Sequence, residues 1–536
     1  MTTVDAPCTD GAPRDVTAPR DLASLLPDAA LRWPDDVALV GDGDPLTWAD
    51  LERRTRRLAG RLVAAGVAPG DRVAVARAKG PESFEAVHAV LRAGAVVVPV
   101  DAAAPPTVAA AVLTDAAAVA VLGEARTIAR LDVPNLLPDV RVIIASGAGD
   151  DDRMVDWEVA ANDETSVELP AVDPDDAAYF IYTSGTTGRP KGIVHTHRSG
   201  MEYACAAATV HGIGRDDRIA GMCPLHFDMS TLELYVAPLV GARIVVVGDA
   251  LMRLFLTEFT ELSERERITV WYGVPFFFRQ LTERGALDRY DLSSLRLIMY
   301  AGEPYPPGPL AELMRLVPHA EVWNVYGPAE TNAVTSHVVG APPTDDLPVP
   351  IGRPWPTTEI RLVDLDGCDV EGPGTGELWL SSTHVMREYW RRPELTAERL
   401  TPRVDGPSWY ATGDVVELDA RGVLWYRGRR DHQVKVRGVR LELEAIESVL
   451  VEAPGVAYAV AGVTGGSDDA SAVAVAVVAR DGEALDLTEV QRWCRLRLPA
   501  AAVPESIGEW PSFPSTASGK IDRATVRSAM LDREDS

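Results

Sequence analysis

The stretch from Tyr182 to Gly192 reads YTSGTTGRPKG and combines hydroxyl groups, glycines and one lysine in a single short segment. Its two inner glycines allow the backbone to turn with its amides directed inward, and such a nest with neighbouring hydroxyls forms an anion-binding concavity. The spacing differs from G-x-x-x-x-G-K-[ST], so this is not the usual P-loop, but phosphate is the natural ligand. A Ser/Thr-rich surface turn is the alternative, which the full string disfavours. The residues expected to hold phosphate are Thr183, Ser184, Gly185, Thr186, Thr187, Gly188 and Lys191.

Alternating apolar strands and amphipathic helices must position this loop. The segment LTWADLERRTRRLAGRLVAAG has helical spacing, whereas DRVAVA, GAVVVPVD, ITVWYGVP and LRLIMYAGE are short apolar runs typical of strands. The segment HTHRSGMEYACAAATV, which follows the loop, is predicted to be helical. Strands that alternate with helices indicate parallel sheet, and ligands bind at the carboxyl ends of such strands.

The composition changes after residue 340, where Pro-rich segments and shorter strands with turn signals predict a β-rich subdomain. A charged hairpin then leads into a helix, followed by two strands and another helix. We therefore predict an α/β protein with a large N-terminal domain of mixed and parallel sheets flanked by helices, a β-rich subdomain, and a small mobile α+β C-terminal domain. The predicted boundaries are 1–20 for a disordered N-terminus, 21–430 for the core and 431–536 for the C-terminal domain, with a hinge at Asp431.

The charge balance excludes some classes of partner. Lys and Arg total 52 against 79 Asp and Glu, a formal charge of −27, which argues against nucleic acid and against an anionic membrane surface. The five cysteines are scattered without a CxxC pair, and neither a signal peptide nor an apolar run of spanning length is apparent, so a cytoplasmic location is expected. His195 and His197 form an H-x-H pair without accompanying ligands, and we interpret them as surface or loop-packing residues.

Further motifs occur in order along the chain. They are LTWADL, LRAGAVVVPVD, NVYGPAET, GELWL, YATGD, GRRDHQVKVRGVRLELEAIE and PSTASGKIDR. Together with YTSGTTGRPKG they resemble, over nearly the whole chain, the core motifs of the adenylate-forming superfamily, which includes acyl-CoA synthetases, luciferases and the adenylation domains of nonribosomal peptide synthetases. One departure is the segment SSTHVMREYW after GELWL, which lacks the glycine that is usual there.

The resemblance implies that a carboxylate attacks the α-phosphate of ATP and expels pyrophosphate. Two anions must approach each other, so positive charge has to be preorganised. Glu330 would coordinate Mg²⁺, Thr331 would contact the α-phosphate, and Lys520 would bridge the substrate carboxylate and the ribose and α-phosphate oxygens. Tyr326 would stack on adenine, with core packing as its alternative. The remaining nucleotide contacts implied by the motifs are Asn324, Gly327, the ribose acceptor Asp414, and Arg429 near the ribose and phosphates.

The resemblance also implies a second half-reaction. The C-terminal domain would turn about Asp431 and replace Lys520 at the site with the face that carries Lys435 and Gly438. The chain ends shortly after SGKIDR without a carrier domain, so the acyl group would pass to the phosphopantetheine thiol of a separate carrier protein.

The segment HFDMSTLELY resembles the amino-acid-recognising core of adenylation domains, in which the aspartate, here Asp228, pairs with the substrate ammonium. A helix N-cap is the alternative role for Asp228. The other specificity positions are uncharged, so we expect a small to medium apolar amino acid, either α or β. They are Met229, Leu232, Tyr272, Met299, Ala301, Val325, Ala333 and Val334.

Three functions are therefore compared. An amino-acid adenylating ligase that loads a carrier protein, in natural-product biosynthesis, is favoured by Asp228 and the apolar pocket. An acyl- or aryl-CoA ligase would use the same fold with a different thiol acceptor. A non-catalytic binding protein would show losses at the phosphate loop, Glu330, Asp414 or Lys520, all of which are present.

Overall fold

The computed structural model describes residues 21–147, 149, 151–165, 167–184, 190–248, 251–252, 255–344, 348–364, 366–430, 433–464, 472–480, 485–514 and 521–534. Within these residues the chain forms two large sheets, a five-stranded β subdomain, and two small sheets near the C-terminus. The predicted α/β fold class is confirmed. The predicted disordered segment 1–20 and the hinge residue Asp431 lie outside the described residues.

One large sheet carries the strands that lead into the site. Its centre is parallel, and antiparallel strands close both edges. Among the described residues its nine strands are, in spatial order, Arg353–Pro354, Thr335–Val339, Glu321–Tyr326, Leu297–Tyr300, Val270–Gly273, Arg218–Gly221, Arg243–Val246, Val37–Val40 and Leu46–Thr47.

The other large sheet corrects one expectation from the sequence. His195 and Thr196, which open the predicted helix, belong instead to the strand Pro190–Thr196, which pairs antiparallel with the strand before the loop. The motif therefore closes a hairpin, and the helix begins only at His197. Among the described residues the eight strands are, in spatial order, Glu388–Tyr389, Pro190–Thr196, Ala177–Ser184, Val96–Pro99, Arg72–Ala76, Ala120–Glu124, Val142–Ser146 and Met154–Asp156.

Helices cover both sheets; most bury their apolar faces in one large core, and the helices Pro106–Ala116, Ala125–Arg130 and Val133–Leu136 pack into a smaller core beside the second sheet. The helix predicted from LTWADL begins with a capping box, in which Thr47 and Asp50 satisfy each other's backbone N–H groups. The α-helices described in this part of the chain are Leu25–Arg32, Trp48–Ala64, Pro81–Arg92, Pro106–Ala116, Ala125–Arg130, Val133–Leu136, Trp157–Ala161, His197–His211, Ala237–Val240, Leu256–Arg265, Pro275–Arg284, Pro307–Leu316 and Pro393–Arg399. Leu232–Val236 is a π-helical turn.

The β subdomain precedes the C-terminal domain. Its strands are Thr358–Val363, Gly374–Ser382, Trp409–Leu418, Leu400–Thr401 and Leu424–Arg429. The C-terminal domain begins with a two-stranded hairpin, Gln433–Val436 with Val439–Glu442, which we call the charged hairpin. Its other elements are the helices Leu443–Val451, Leu487–Arg497 and Arg523–Glu534 and the strands Val456–Thr464, Ala472–Ala479 and Ser506–Glu509.

The C-terminal domain has a hydrophobic core of its own. Leu441, Ile446, Val475 and Val490 belong to this core, which is separate from the large core of the N-terminal domain. A domain with its own core can change orientation as a unit. In this arrangement it contacts the N-terminal domain through Thr107, whose hydroxyl donates to the Leu496 carbonyl at 2.6 Å.

Candidate active site

The loop after strand Glu321–Tyr326 gathers several predicted nucleotide contacts at the carboxyl end of the parallel sheet. The Asn324 amide donates to the Pro350 carbonyl at 2.9 Å, which ties the strand end to the neighbouring segment. A Cβ on Gly327 would lie 1.6 Å from the carbonyl oxygen of Asn332, so only glycine fits this close approach. The loop therefore folds back tightly on itself and holds the residues between these two positions.

Asp414 and its neighbours form a compact polar group. The Tyr326 hydroxyl donates to Asp414 Oδ2 at 2.5 Å, and the Arg429 guanidinium donates to Oδ1. Asp414 and Arg429 lie directly opposite each other on paired antiparallel strands, which explains their contact. The predicted adenine platform, ribose acceptor and neighbouring arginine are thus brought together.

Glu330 and Thr331 are fully buried in the same loop. The Tyr389 hydroxyl donates to Glu330 Oε1 at 2.6 Å, and the Arg440 guanidinium donates to Oε2 at 2.9 Å. Burial opposes ionisation, but the charges of Arg440 and Lys191 and the hydrogen bond from Tyr389 hold the pKa of Glu330 well below its usual range. Glu330 is therefore a permanent anion at the site.

The charged hairpin presents one face to this anion. Lys435 and Arg440 are direct cross-strand partners, and Arg440 and Glu442 are two residues apart, so all three side chains share a face. The Lys435 ammonium lies 5.9 Å from the centre of the Tyr326 ring. Burial and the nearby arginines lower the pKa of Lys435, against the opposing charges of Asp414 and Asp228.

The phosphate-loop lysine meets the same hairpin. The Lys191 ammonium lies 3.7 Å from Glu442 Oε1 and over the Tyr389 ring, with 8% of the residue exposed. Burial, together with repulsion from Arg440, lowers the pKa of Lys191 to about 8. Lys191 and Glu330 therefore each face an opposite charge from the C-terminal domain.

Other predicted phosphate contacts are described only in part. Thr183 and Ser184 end their strand opposite Lys191 and Pro190. The predictions for Gly185, Thr186, Thr187, Gly188 and Lys520 fall outside the described residues.

The turn of the charged hairpin explains how it docks. Arg437 and Gly438 both have positive φ angles, of 51° and 78°, as a tight two-residue hairpin turn requires. The Gly438 N–H donates to Glu303 Oε2 at 2.9 Å, and a Cβ on Gly438 would lie 2.4 Å from Val274. Glycine therefore allows the turn to contact the loops at the carboxyl ends of the strands that carry Tyr272 and Met299. In this arrangement the face with Lys435 and Arg440 lies against Tyr326 and Glu330, and its role in the second half-reaction stays a prediction.

Asp228 lies just before the π-helical turn, at the amino-acid end of the site. Its Oδ1 accepts a hydrogen bond from the Met229 N–H at 3.0 Å, and its backbone carbonyl, rather than its side chain, accepts from Thr231. These contacts do not support the alternative role of the Asp228 side chain as a helix N-cap. Burial raises the pKa of Asp228 to about 6, and the charge of Lys435 only partly offsets this effect.

The specificity positions are all buried, and strand register explains the placement of several of them. Tyr272 pairs with Met299, and Met299 pairs with Trp323, so these three side chains and Val325 share one face of the sheet. Burial raises the pKa of Tyr272 well above its usual value, and the neighbouring Tyr203 and Asp228 add to this effect. The buried positions are Met229, Leu232, Tyr272, Met299, Ala301, Val325, Ala333 and Val334.

A buried ion pair stabilises the helix beyond Asp228. Glu233 lies in the π-helical turn next to Leu232, and the Lys79 ammonium bonds to its carboxylate and, at 2.8 Å, to the Cys223 carbonyl. Burial raises the pKa of Glu233 to about 7. Sequence reasoning missed this pair, because Lys79 lies far away in the chain.

The donor set at Glu330 fits a magnesium ion that is shared with a nucleotide. Within the described residues no group of three or more His, Cys, Asp and Glu side chains could hold a metal. Mg²⁺ bound with substrate phosphates needs only one or two protein carboxylates. The Arg440 guanidinium shows that a cation is accommodated at Glu330 Oε2.

The interpretation of His195 and His197 as surface or loop-packing residues is wrong. Both are fully buried, because the strand Pro190–Thr196 is covered on both faces and the helix after it packs into the core. His195 Nε2 lies 2.9 Å from the Ala329 carbonyl oxygen.

Sequence reasoning also did not assign roles to Arg440, Glu442 and Tyr389. The two-residue spacing of Arg440 and Glu442 in the motif VRLEL indicates one face of a strand and could have identified them.

None of the helices in the described ranges is both long and apolar enough to cross a membrane.

Comparison with known proteins identifies the family. The model of the AMP-binding enzyme family matches residues 26–390, and the model of the AMP-binding enzyme C-terminal domain matches residues 445–520. The chain belongs to the AMP-binding enzyme family. The predicted membership of the adenylate-forming superfamily is confirmed, and so is the prediction of an amino-acid adenylating ligase.

The chain is similar over most of its length to several characterised members. An L-proline–[L-prolyl-carrier protein] ligase of Streptomyces coelicolor is 35% identical over 499 residues, covering 90% of this chain and 92% of the relative. The ligase with the same name from Pseudomonas fluorescens is 33% identical and covers 92% and 96% of the two chains. The solved structure of amide bond synthetase McbA from Marinactinospora thermotolerans is 29% identical, with a TM-score of 0.83 and coverage of 96% and 100%.

Proposed function

We propose that this AMP-binding enzyme activates a small to medium apolar amino acid as its aminoacyl-AMP and transfers it to the phosphopantetheine thiol of a separate carrier protein, in natural-product biosynthesis. Asp228 is the observation that carries this proposal. A partly buried carboxylate is costly unless it is paired, and a substrate ammonium would pair with it. The apolar specificity positions around it favour an apolar side chain over a charged one.

Proline is the first amino acid to test, because two relatives are named as L-proline carrier-protein ligases. Its ring is apolar and of medium size, and its secondary ammonium can donate to Asp228. Other α-amino acids and β-amino acids of similar size are the further candidates.

The free cysteines Cys205, Cys223, Cys368 and Cys494 support the reducing cytosol as the location.

In the first half-reaction, an oxygen of the amino-acid carboxylate forms a bond to the α-phosphorus of ATP while the bond to pyrophosphate breaks. Lys191, with the loop around it, would neutralise the phosphates, and Thr331 would hold the α-phosphate. Mg²⁺, held by Glu330 and phosphate oxygens, would supply further positive charge for the departing pyrophosphate. Tyr326 and Asp414 would hold the nucleoside.

In the second half-reaction, the carrier thiol releases its proton to solvent, its sulfur bonds to the acyl carbon, and AMP leaves with the electron pair of the broken C–O bond. The charged hairpin places Lys435 beside Tyr326, where a cation can stabilise the departing AMP. The ion pairs of Arg440 with Glu330 and of Glu442 with Lys191 would hold the hairpin in place during this step.

Amino-acid-dependent exchange of labelled pyrophosphate into ATP tests the proposal. The panel contains L-proline, L-valine, 3-aminobutyrate and cyclopentanecarboxylate. Cyclopentanecarboxylate has the same ring size as proline but lacks the nitrogen. We expect an amino acid to support exchange roughly a hundredfold or more better than its nitrogen-free counterpart, because the latter leaves Asp228 unpaired. Equal exchange with nitrogen-free acids would contradict the assigned substrate class.

The acceptor is tested separately with a panel of phosphopantetheinylated carrier proteins and with coenzyme A. Acylation of a carrier protein in preference to coenzyme A is the expected result. Preferential acylation of coenzyme A would favour the alternative of a CoA ligase.

A further inference from the structure

His384 is a buried side chain that the proposed chemistry does not yet use. It is fully buried in the segment after strand Gly374–Ser382, and its ring packs between Tyr203 and Trp355. This segment departs from the sequence pattern of the superfamily, since it reads SSTHVMREYW. A polar ring in such a position needs hydrogen-bond partners to be tolerated.

The partners of His384 determine its tautomer. Its Nδ1 lies 2.8 Å from the Thr331 carbonyl oxygen, which can only accept, so Nδ1 carries the proton and donates. Its Nε2 lies 3.3 Å from the Thr357 hydroxyl, which then donates to it. Both ring nitrogens are satisfied by groups on different segments, and the ring is fixed in one orientation.

The segment that carries His384 braces the Glu330 loop at three successive points. His384 holds the Thr331 carbonyl, the Met386 N–H donates to the Glu330 carbonyl at 2.7 Å, and the Tyr389 hydroxyl donates to the Glu330 carboxylate at 2.6 Å. His384 lies in the turn that ends strand Gly374–Ser382, so its side chain and the backbone N–H of Met386 reach the same loop.

A second buried histidine braces the other side of Glu330. His195 Nε2 lies 2.9 Å from the Ala329 carbonyl oxygen, and its ring stacks on Tyr179 with centroids 4.9 Å apart. The Tyr179 hydroxyl accepts from the Asn332 amide at 3.2 Å. The backbone on each side of Glu330 is therefore held by a histidine, and the left-handed residue Asn332, with φ of 51°, is anchored as well.

We propose that His384 is a positioning residue for adenylation, which acts with His195 to fix the backbone of residues 329–331. This brace fixes the position of the Glu330 carboxylate, which would hold magnesium, and of the Thr331 backbone, while the Thr331 hydroxyl donates to the Pro328 and Asn332 carbonyls of the same loop. It does not contact the amino acid. The inference rests on the proposed function where pyrophosphate exchange is the readout. The effect of His384 on nucleotide binding can be measured without any amino acid.

Two substitutions at one position test the brace. His384→Leu removes the donor to Thr331 with a side chain of similar size, whereas His384→Asn places an amide N–H near the position of Nδ1. We expect His384→Leu to lower kcat/KM for Mg·ATP in pyrophosphate exchange by roughly tenfold to a hundredfold, as losses of outer-shell partners do. The amino-acid KM should stay within about twofold of wild type, and His384→Asn should regain most of the loss.

A matched control is His211→Leu. His211 is also buried, with 6% of the residue exposed, and packs against Trp355 as His384 does and against Trp323, but none of its contacts among the described residues reaches residues 329–331. Its substitution should change thermal stability without changing the KM for Mg·ATP.

Calorimetric binding of Mg·ATP without amino acid supplies the readout that does not depend on turnover. Weaker binding in His384→Leu, restored in His384→Asn, supports the brace. Wild-type nucleotide binding and exchange in His384→Leu would overturn it, as would equal losses in the Leu and Asn variants at unchanged melting temperature. If the wild-type enzyme binds Mg·ATP but activates no amino acid, the proposed function fails while the binding comparison still decides the role of His384.

Discussion

The two ends of the site treat their charged groups differently. At the phosphate end, Lys191 and Glu330 meet Glu442 and Arg440, which belong to the other domain. At the end proposed for the amino acid, the partly buried Asp228 carboxylate accepts from the Met229 N–H, and burial raises its pKa to about 6 although the charge of Lys435 in the charged hairpin partly offsets this effect.

This difference matches what each end must do. In the proposed function, pyrophosphate leaves between the two half-reactions, and the C-terminal domain supplies replacement partners for the groups that would bind it. The amino acid would stay until it is transferred, and Asp228, its proposed carboxylate partner, belongs to the N-terminal domain. We infer that the charged hairpin takes over Lys191 and Glu330 once pyrophosphate has left.

The largest expected effect is at the phosphate end. Glu330→Gln removes the anion that would hold magnesium, and kcat for pyrophosphate exchange should fall by roughly 10²- to 10³-fold, as for other preorganised electrostatic groups. Exchange assays over a range of magnesium concentrations measure this loss. Glu321→Gln, at an exposed residue on the strand that leads into the same loop, is the control and should behave as wild type.

Arg440→Gln separates the two half-reactions. It removes the hairpin's contact with Glu330, and leaving one member of a buried pair alone costs a few kcal/mol. Carrier acylation by preformed aminoacyl-AMP should therefore fall by roughly tenfold to a hundredfold, while pyrophosphate exchange stays within about threefold of wild type.

Arg427→Gln is the control for that comparison, because Arg427 forms an ion pair with Glu417 on the surface of the β subdomain. Its substitution should change neither half-reaction. Equal losses of exchange and of carrier acylation in Arg440→Gln would argue against a role confined to the hairpin.

At the end proposed for the amino acid, Asp228→Asn should raise the amino-acid KM by roughly tenfold to a hundredfold. A hydrogen bond to a charged group is worth roughly 1.5–3 kcal/mol, and the amide that replaces the carboxylate carries no charge to pair with the ammonium. The KM for Mg·ATP should change little. A variant with an unchanged amino-acid KM would show that Asp228 does not bind the substrate.

The pH dependence provides the smallest of these effects. Asp228 must be ionised to bind an ammonium, and its pKa of about 6 means that the ionised fraction falls as the pH drops through 6. The amino-acid KM should therefore rise about tenfold between pH 7 and pH 5. Asp228→Asn should abolish this rise, and a rise that persists in the variant would assign it to another group.

Elements with strong local patterns could be predicted from the sequence. The apolar runs ITVWYGVP and LRLIMYAGE are strands, and the charged segment before Leu450 is a hairpin followed by a helix, as predicted. The sequence does not predict the strand Pro190–Thr196, because its first residues carry the end of the phosphate motif and its last two open the predicted helix. The boundary between 430 and 431 stays a prediction.

Contacts between distant segments could not be predicted from local pattern. The pairing of Glu330 with Arg440 depends on how one domain sits on the other, and the burial of His195 depends on layers that cover its strand on both faces. His384 was noted only as part of a segment without the usual glycine, since its partner Thr331 lies 53 residues away in the chain.

The central claim is that Lys191 and Glu330 serve the phosphates in one half-reaction and the charged hairpin in the other. Hydrogen–deuterium exchange of the segment 433–442 tests it most directly, in the enzyme saturated with an inert sulfamoyl analogue of the aminoacyl-AMP. We predict that the segment is protected in this complex and that added magnesium pyrophosphate raises its exchange, because both compete for the same two side chains. Protection that stays unchanged while calorimetry shows magnesium pyrophosphate to be bound would contradict the claim.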